Sequence, residues 1–146
     1  MSQAAKQSSA AELRQVIEEM PASQIREVAN NAIGLEGMIP LWFGEPDVST
    51  PEFICNAAAE AMRSGRTFYT PNRGIPELRD AIAAYTESLY GIAMTMDRVT
   101  VMASGMSGIM VSHQLLVEPA TNVVCPVPLW PNVRGTIDIL GGEFRP

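Results

Sequence analysis

Apolar and polar residues follow their clearest pattern between positions 99 and 131. Residues 99–103 are β-branched and apolar, which is typical of a buried strand, and they run into a turn of small residues at 104–108. Helical spacing of apolar residues then predicts a helix over 105–117, and a second apolar run predicts a strand over 122–125. We therefore expect a right-handed strand–helix–strand unit with parallel strands, as in α/β folds.

Further helices are predicted on both sides of this unit. They are expected at about residues 10–20, 23–33, 51–64, 76–90 and 131–140, with another strand beginning at residue 143. Ser23 and Thr50 are suited to cap two of these helices, and Gly91 is suited to end a third. Apolar residues at helical spacing predict two buried faces, formed by Ile25, Val28, Ala29, Ala32 and Ile33 and by Leu78, Ala81, Ile82, Tyr85 and Leu89.

The chain is expected to fall into two parts with a boundary near residue 45. Residues 1–9 are rich in Ser, Gln and Ala and are predicted to be disordered. An extended apolar segment at 39–43 runs into a turn that contains glycine and proline. We thus expect an N-terminal arm over 1–45 and the start of an α/β body over 46–146. Because that body shows only two clear central strands, its apolar faces are expected to remain exposed.

Charge and composition exclude several classes of partner. The net charge of −6 makes nucleic acid and acidic membranes poor partners. The longest apolar stretch, 99–117, is interrupted by polar residues, which argues against a membrane span. Cys55 and Cys125 lack the spacing of a metal site, so we expect no metal and reduced thiols in a cytoplasmic protein.

Candidate chemistry lies at the turn of small residues that begins the 105–117 helix. Free backbone N–H groups, the helix dipole and the hydroxyls of Ser104 and Ser107 suit a phosphate. If the strands are parallel neighbours, Trp130 lies at the same edge as a plate for a flat heteroaromatic ring. Two alternatives stay open: the serines simply cap the helix, and the tryptophan belongs to a core or an interface. The sequence matches neither the dinucleotide glycine motif nor the Walker motif.

Several short motifs occur in the order and spacing of one enzyme family. They are Leu41-Trp42-Phe43-Gly44-Glu45-Pro46-Asp47, Thr50-Pro51, Tyr69-Thr70-Pro71-Asn72-Arg73-Gly74, Glu77-Leu78-Arg79-Asp80-Ala81-Ile82-Ala83, Tyr90-Gly91, Ser104-Gly105-Met106 and Pro128-Leu129-Trp130-Pro131-Asn132. Residues 39–146 thereby resemble the N-terminal part of the class I and II aminotransferases, the aspartate-aminotransferase-like enzymes of fold type I. The resemblance implies a helical arm followed by the start of an α/β/α large domain. It also implies transfer of an amino group between an amino acid and a 2-oxo acid, with pyridoxal phosphate as cofactor.

The resemblance also implies roles for individual residues. The Ser104-Gly105-Met106 turn matches the one that holds the cofactor phosphate, and Trp130 matches the ring that stacks on the pyridine. Tyr69 matches a tyrosine that reaches the cofactor phosphate of the neighbouring subunit, which implies a homodimer. From the residues alone, a packing role for Tyr69 is equally open. Gly44 matches a glycine that lines the pocket near the substrate carboxylate.

Family members are longer, and the resemblance places the Schiff-base lysine in the part that these residues do not match. The only lysine here is Lys6, in the polar N-terminal region, so no catalytic residue is assigned. We therefore expect an N-terminal portion that is inactive by itself. Two alternatives stay open: another fold-type-I reaction, such as that of a lyase or decarboxylase, and a non-catalytic module for binding or dimerisation. His113, the only histidine, is predicted to be structural.

Overall fold

A computed structural model describes residues 12–146, and the contacts within the chain divide it into two units. Among the described residues, one unit combines 12–42 with 109–146, and the other spans 43–108. The predicted disorder of residues 1–9 and the first residues of the predicted 10–20 helix lie outside the described residues. The domain boundary near residue 45 stays a prediction; the contacts separate the chain after Trp42 and again after Gly108.

Helices predominate over strands in the described residues. In chain order the elements are α1 (Gln15–Glu18), α2 (Gln24–Ala32), α3 (Glu52–Arg63), α4 (Pro76–Tyr90), a 3-10 helix (Met96–Arg98), α5 (Gly105–Leu116), β1 (Asn122–Val124), α6 (Pro131–Ile139) and β2 (Glu143–Arg145). The predicted helices and the strand beginning at residue 143 are confirmed at these bounds; the 10–20 helix is confirmed only for α1. Between residues 12 and 146, none of the helices has the length and apolar character to cross a bilayer.

Local signals in the sequence account for several helix ends. Ser23 Oγ accepts a hydrogen bond from the backbone N–H of Arg26 at 3.3 Å, which confirms the predicted cap of α2. Gly91, with a φ of 65°, ends α4 in the left-handed conformation that favours glycine. The prediction that Thr50 caps α3 is wrong, because Pro51 keeps an extended ψ of 140° and itself occupies the cap position.

The sheet consists of two parallel strands in the first unit. β1 pairs with β2, with Val123 opposite Phe144, and α6 is the connection between them. The pairing extends beyond the strands through a hydrogen bond from Glu143 N to Thr121 O at 2.7 Å. The strand predicted at 122–125 is therefore confirmed, with its parallel partner at the end of the chain.

Residues 99–103 do not form the strand predicted for them. The backbone at Val99 is extended, with φ −110° and ψ 130°, and Val101 N donates to the carbonyl of Arg73 at 3.0 Å. Within residues 12–146 no strand pairs with this segment. A β-branched run forms a strand only where a neighbouring strand supplies hydrogen bonds, and here the neighbour is the loop at Arg73. The strand–helix–strand unit expected across 99–125 is thus wrong, and β1–α6–β2 takes its place.

Each unit has a small core of its own. The buried side chains of the first unit are Ala29, Ala32, Val117, Cys125, Thr136 and Ile137. Gly142 packs closely in this core, since a Cβ there would lie 2.6 Å from Val117 Cγ1 and 2.9 Å from Ile137 Cγ2. In the second unit Ala83 of α4 and Val99 are buried.

Large apolar side chains remain exposed in both units. Parts of the two predicted buried faces are wrong, since the exposed side chains include Leu78, Tyr85 and Leu89 on α4 and Val28 and Ile33 on α2. The reason on α4 is the size of its neighbour: the helix contacts the three-residue 3-10 helix, which is too short to cover its apolar face. The expectation that apolar faces remain exposed is confirmed.

Candidate functional site

Ser104 caps the N-terminus of α5. Its Oγ accepts a hydrogen bond from Ser107 N at 3.1 Å, and its carbonyl accepts one from Gly108 N at 3.1 Å. The hydroxyls of Ser104 and Ser107 lie 3.0 Å apart and are hydrogen-bonded to each other. This geometry is that of a serine N-cap, so the capping alternative for Ser104 is an observed role.

Capping by Ser104 does not use all the backbone donors at the start of α5. Among the described residues, the backbone N–H groups of Gly105 and Met106 have no hydrogen-bond partner. A Cβ added at Gly105 would meet no atom within 4 Å, so the space beside this turn is open. The mutual bond between Ser104 and Ser107 uses one hydroxyl proton and leaves the other to donate outward. These donors, at the positive end of a 12-residue helix whose first turn carries no acid, fit a phosphate.

Tyr69 and Gly44 lie in the same unit as this turn. The side chain of Tyr69 is fully exposed, as is most of Phe68 beside it, so Tyr69 does not pack in the core of this chain. Gly44 is also exposed, and a Cβ there would meet nothing within 4 Å. Their roles at the cofactor phosphate and beside the substrate carboxylate stay predictions.

Trp130 lies at the start of α6, in the first unit. It occupies the cap position of that helix with Pro131 following, and 49% of its surface is exposed. A half-exposed indole leaves one part of its ring available to a ligand, whereas a core tryptophan would not. The meeting of Trp130 with the Ser104 turn stays a prediction.

His113 has a structural environment. Its Nδ1 lies 2.8 Å from Thr136 Oγ1, and the Thr136 hydroxyl donates to the carbonyl of Val133 at 2.8 Å. Because that hydroxyl has only one proton, Nδ1 of His113 must carry the hydrogen of the shared bond. The histidine thereby joins α5 to α6, as the structural prediction requires. No group of three His, Cys, Asp or Glu side chains in residues 12–146 is placed to hold a metal ion.

Two arginines were missed as site candidates. Arg73 and Arg79 both hydrogen-bond to backbone carbonyls of residues 96–99, the segment that leads to the Ser104 turn. The pKa of Asp97 in this segment lies below its ordinary value of 3.8. The main cause is the hydrogen bond from the Thr95 hydroxyl; the Asp97 backbone N–H and the charges of Arg73 and Arg98 contribute less. The sequence shows Arg73 in an Asn-Arg-Gly turn, which predicts an ordered loop. It does not show that the arginine side chain bonds to residues 97–100.

Comparison with known proteins supports the resemblance. Residues 36–146 match the family described as aminotransferase class I and II. The aspartate aminotransferase of Pyrococcus horikoshii is 41% identical over 106 residues, which make up 73% of this chain and 27% of that protein. A probable aspartate aminotransferase of Methanocaldococcus jannaschii is 36% identical over 84% of this chain and 32% of its own length. The matched part of the chain thus spans between a quarter and a third of the length of these curated relatives.

Solved structures agree with the sequence relatives. An aspartate aminotransferase from Thermotoga maritima matches with a TM-score of 0.81 and 30% identity, over 91% of this chain and 36% of that one. An aspartate aminotransferase from Thermus thermophilus with maleate matches with a TM-score of 0.84 and 28% identity, over 93% of this chain and 37% of that one. The predicted fold class, the N-terminal part of the fold-type-I α/β architecture, is confirmed. Since the family match also covers most of the sequence, the chain belongs to the class I and II aminotransferases.

Proposed function

We propose that the chain forms the part of a pyridoxal-phosphate-dependent aminotransferase that binds the cofactor phosphate and ring. The whole enzyme would move an amino group between an amino acid and a 2-oxo acid. Pyridoxal phosphate is the general cofactor of this family. The observation that carries the proposal is the open start of α5, where Gly105 and Met106 keep free N–H donors beside the capping serines. No observation favours a lyase, a decarboxylase or a non-catalytic module.

The proposed role of the turn is to hold the phosphate. Gly105 and Met106 donate their backbone N–H groups, and the Ser104–Ser107 pair donates its remaining hydroxyl proton. Hydrogen bonds to a charged group are worth roughly 1.5–3 kcal/mol each. Backbone donors do not titrate, so this contribution persists at any pH at which the phosphate is charged.

The proposed role of Trp130 is to stack on the cofactor ring, an interaction worth about 0.5–1.5 kcal/mol. When bound, the cofactor supplies the electron sink for the reaction; the residues described here orient it and donate hydrogen bonds. Lys6 lies outside the described residues, and no residue of the described chain is assigned a catalytic role. With these contacts alone, the 146 residues should bind pyridoxal phosphate on the order of millimolar and should not transaminate.

We further propose a homodimer in which Tyr69 reaches the cofactor phosphate of the second subunit. Its full exposure supports an outward role, since an unpacked tyrosine beside the exposed Phe68 is suited to a partner surface. Gly44, which is open on its side-chain face, would lie beside the substrate carboxylate. The free thiols of Cys55 and Cys125 support a reducing compartment, and we place the protein in the cytoplasm.

A charge placed in the turn tests the proposal. Gly105→Asp puts a carboxylate where the phosphate would bind, and the open space at this position accommodates it. An acid at a helix N-terminus stabilises the helix by about 0.3–1 kcal/mol, so the variant should fold at least as well as the parent protein. Gly105→Asn is the neutral control. Calorimetric titrations with pyridoxal phosphate and with pyridoxal, which lacks the phosphate, give the preference of each variant for the phosphorylated ligand.

We expect the parent protein and Gly105→Asn to bind pyridoxal phosphate about tenfold more tightly than pyridoxal. Gly105→Asp should bind the two ligands equally. A parent protein without this preference, or a Gly105→Asp variant that retains it, would remove the phosphate from the start of α5. Trp130→Ala should weaken the binding of both ligands by a similar factor, because the ring is common to both.

A further inference from the structure

The segment that leads into the Ser104 turn is fixed by arginine side chains. Arg73 donates from Nε to Thr100 Oγ1 at 3.2 Å, and from Nη2 to the carbonyls of Val99, at 3.3 Å, and Asp97. One guanidinium therefore spans four successive residues of the segment 97–100. Since a guanidinium is planar with fixed donor directions, it sets the mutual orientation of these acceptors.

A second arginine contacts the same segment. Arg79, on the first turns of α4, donates from Nε to the carbonyl of Val99 at 2.9 Å and from Nη2 to that of Met96. The Val99 carbonyl thus accepts from both arginines, and Val99 itself is buried. In the described part of the chain neither arginine forms an ion pair, and their side-chain hydrogen bonds go to backbone carbonyls of residues 96–99 and to the Thr100 hydroxyl.

The backbone of the Arg73 loop also lies directly against the segment. Arg73 O accepts from Val101 N at 3.0 Å. Gly74 adopts a φ of 95°, and a Cβ there would lie 2.7 Å from Val101 Cβ. The two segments therefore approach each other so closely at Gly74 that no side chain fits. We call these side-chain and backbone contacts of residues 73–79 with 96–101 the arginine latch.

The latch contacts a segment whose sequence is strand-like. Within residues 12–146 no strand pairs with residues 99–103, and the contacts of the latch reach this segment as far as Val101. Val101 lies three residues before the cap Ser104. The other end of the latch begins at Arg73, four residues after Tyr69. The Ser104 turn and Tyr69, the two proposed phosphate contacts of this unit, are therefore each within four residues of the latch.

We propose that Arg73 and Arg79 are positioning residues for the cofactor phosphate. They act through the backbone of residues 96–101, whose orientation sets the direction in which Gly105 and Met106 present their N–H groups. Neither arginine touches the phosphate. This inference rests on the proposed function, because it assigns the arginines to the phosphate-binding turn of that same site.

The test compares variants by their preference for a phosphorylated ligand. Arg73→Gln and Arg79→Gln remove the fork of the guanidinium, and Arg73→Lys keeps the charge and part of the hydrogen bonding. Arg63→Gln is the matched control, because it removes one positive charge from the same unit at the end of α3, and the Arg63 side chain forms no ion pair in the described chain. Affinities for pyridoxal phosphate and pyridoxal are measured on the whole protein. The amide resonances of Gly105 and Met106 are followed during a titration with inorganic phosphate.

We expect Arg73→Gln and Arg79→Gln to lose about tenfold in affinity for pyridoxal phosphate, with the affinity for pyridoxal unchanged. Arg73→Lys should recover part of the loss, and Arg63→Gln should behave as the parent protein. The phosphate-induced shifts of the Gly105 and Met106 amides should shrink in the two glutamine variants only. Unchanged phosphate affinity in both, or an equal loss for both ligands, overturns the inference.

A milder variant tests the inference if the glutamine variants fail to fold. Thr100→Val removes the acceptor of the Arg73 Nε–H while it keeps the shape of the side chain. It should lower the affinity for pyridoxal phosphate about threefold and leave that for pyridoxal unchanged; no selective loss overturns the inference. The proposed function fails separately: a parent protein without phosphate preference, or a Gly105→Asp variant that retains it, overturns both proposals. If the parent protein has the preference and both arginine-to-glutamine variants retain it, the latch inference alone is overturned.

Discussion

Gly74 has a backbone conformation that favours glycine and leaves no room for a side chain. It combines a φ of 95° with a close approach to Val101, whereas Gly65 has a φ of 80° and open space around its side-chain position. Gly65→Ala should therefore lose only the free energy of backbone strain, about 1–2 kcal/mol. Gly74→Ala should lose that and roughly 1–3 kcal/mol more from the forced contact. Urea unfolding of the two variants measures the difference, and equal losses would show that Val101 moves away freely.

Individual residues were predictable from sequence where their partners are close along the chain. The cap formed by Ser23 and that formed by Ser104 follow from hydrogen bonds to a residue three positions away. The roles of Arg73 and Arg79 were not predictable, because their acceptors lie 17 to 27 positions away. A sequence pattern shows the donor, but the fold decides which carbonyls remain without a strand partner.

A hydrogen bond between His113 and Thr136 joins helices α5 and α6 in the first unit. Thr136 is buried and accepts from His113 Nδ1 while it donates to the carbonyl of Val133. Thr136→Val keeps the volume but leaves the histidine N–H without its partner, at a loss of about 1–3 kcal/mol. The matched control is Thr86→Val, whose hydroxyl donates only to Ile82 O within α4; it should change stability by less than about 0.5 kcal/mol. Similar thermal midpoints for the two variants would contradict this account.

The elements themselves divide into those fixed locally and those fixed by pairing. The helices were predicted because their spacing and end signals are contained in the helix, as Pro76 and Gly91 are for α4. Residues 99–103 were predicted as a strand and are not one, because a strand exists only with its neighbour. The last strand was predictable and does have a neighbour in β1.

At the scale of the whole molecule, small cores coexist with large exposed apolar side chains. The two strands leave most of an α/β sheet unbuilt within the described residues, so helix faces that would lie on a sheet face water. Most residues of the candidate site are also exposed to water in the described chain. Its N–H donors at Gly105 and Met106 are in place. Trp130 is half exposed and Tyr69 is fully exposed, as the roles proposed for them require.

The last prediction follows from this exposed surface. The 146 residues alone should self-associate as their concentration rises, because many large apolar side chains are exposed and are removed from water when copies meet. Sedimentation velocity over a series of concentrations should show a rising average sedimentation coefficient. The double variant Tyr85→Lys/Leu89→Lys should suppress the rise without loss of stability, because both side chains are already exposed on α4. Asp80→Lys, which changes the net charge by the same two units at an exposed polar position of the same helix, is the control and should leave association nearly intact. A parent protein that stays a monomer at every concentration would contradict the prediction itself. Equal suppression by Asp80→Lys would assign the association to charge and not to the apolar face of α4.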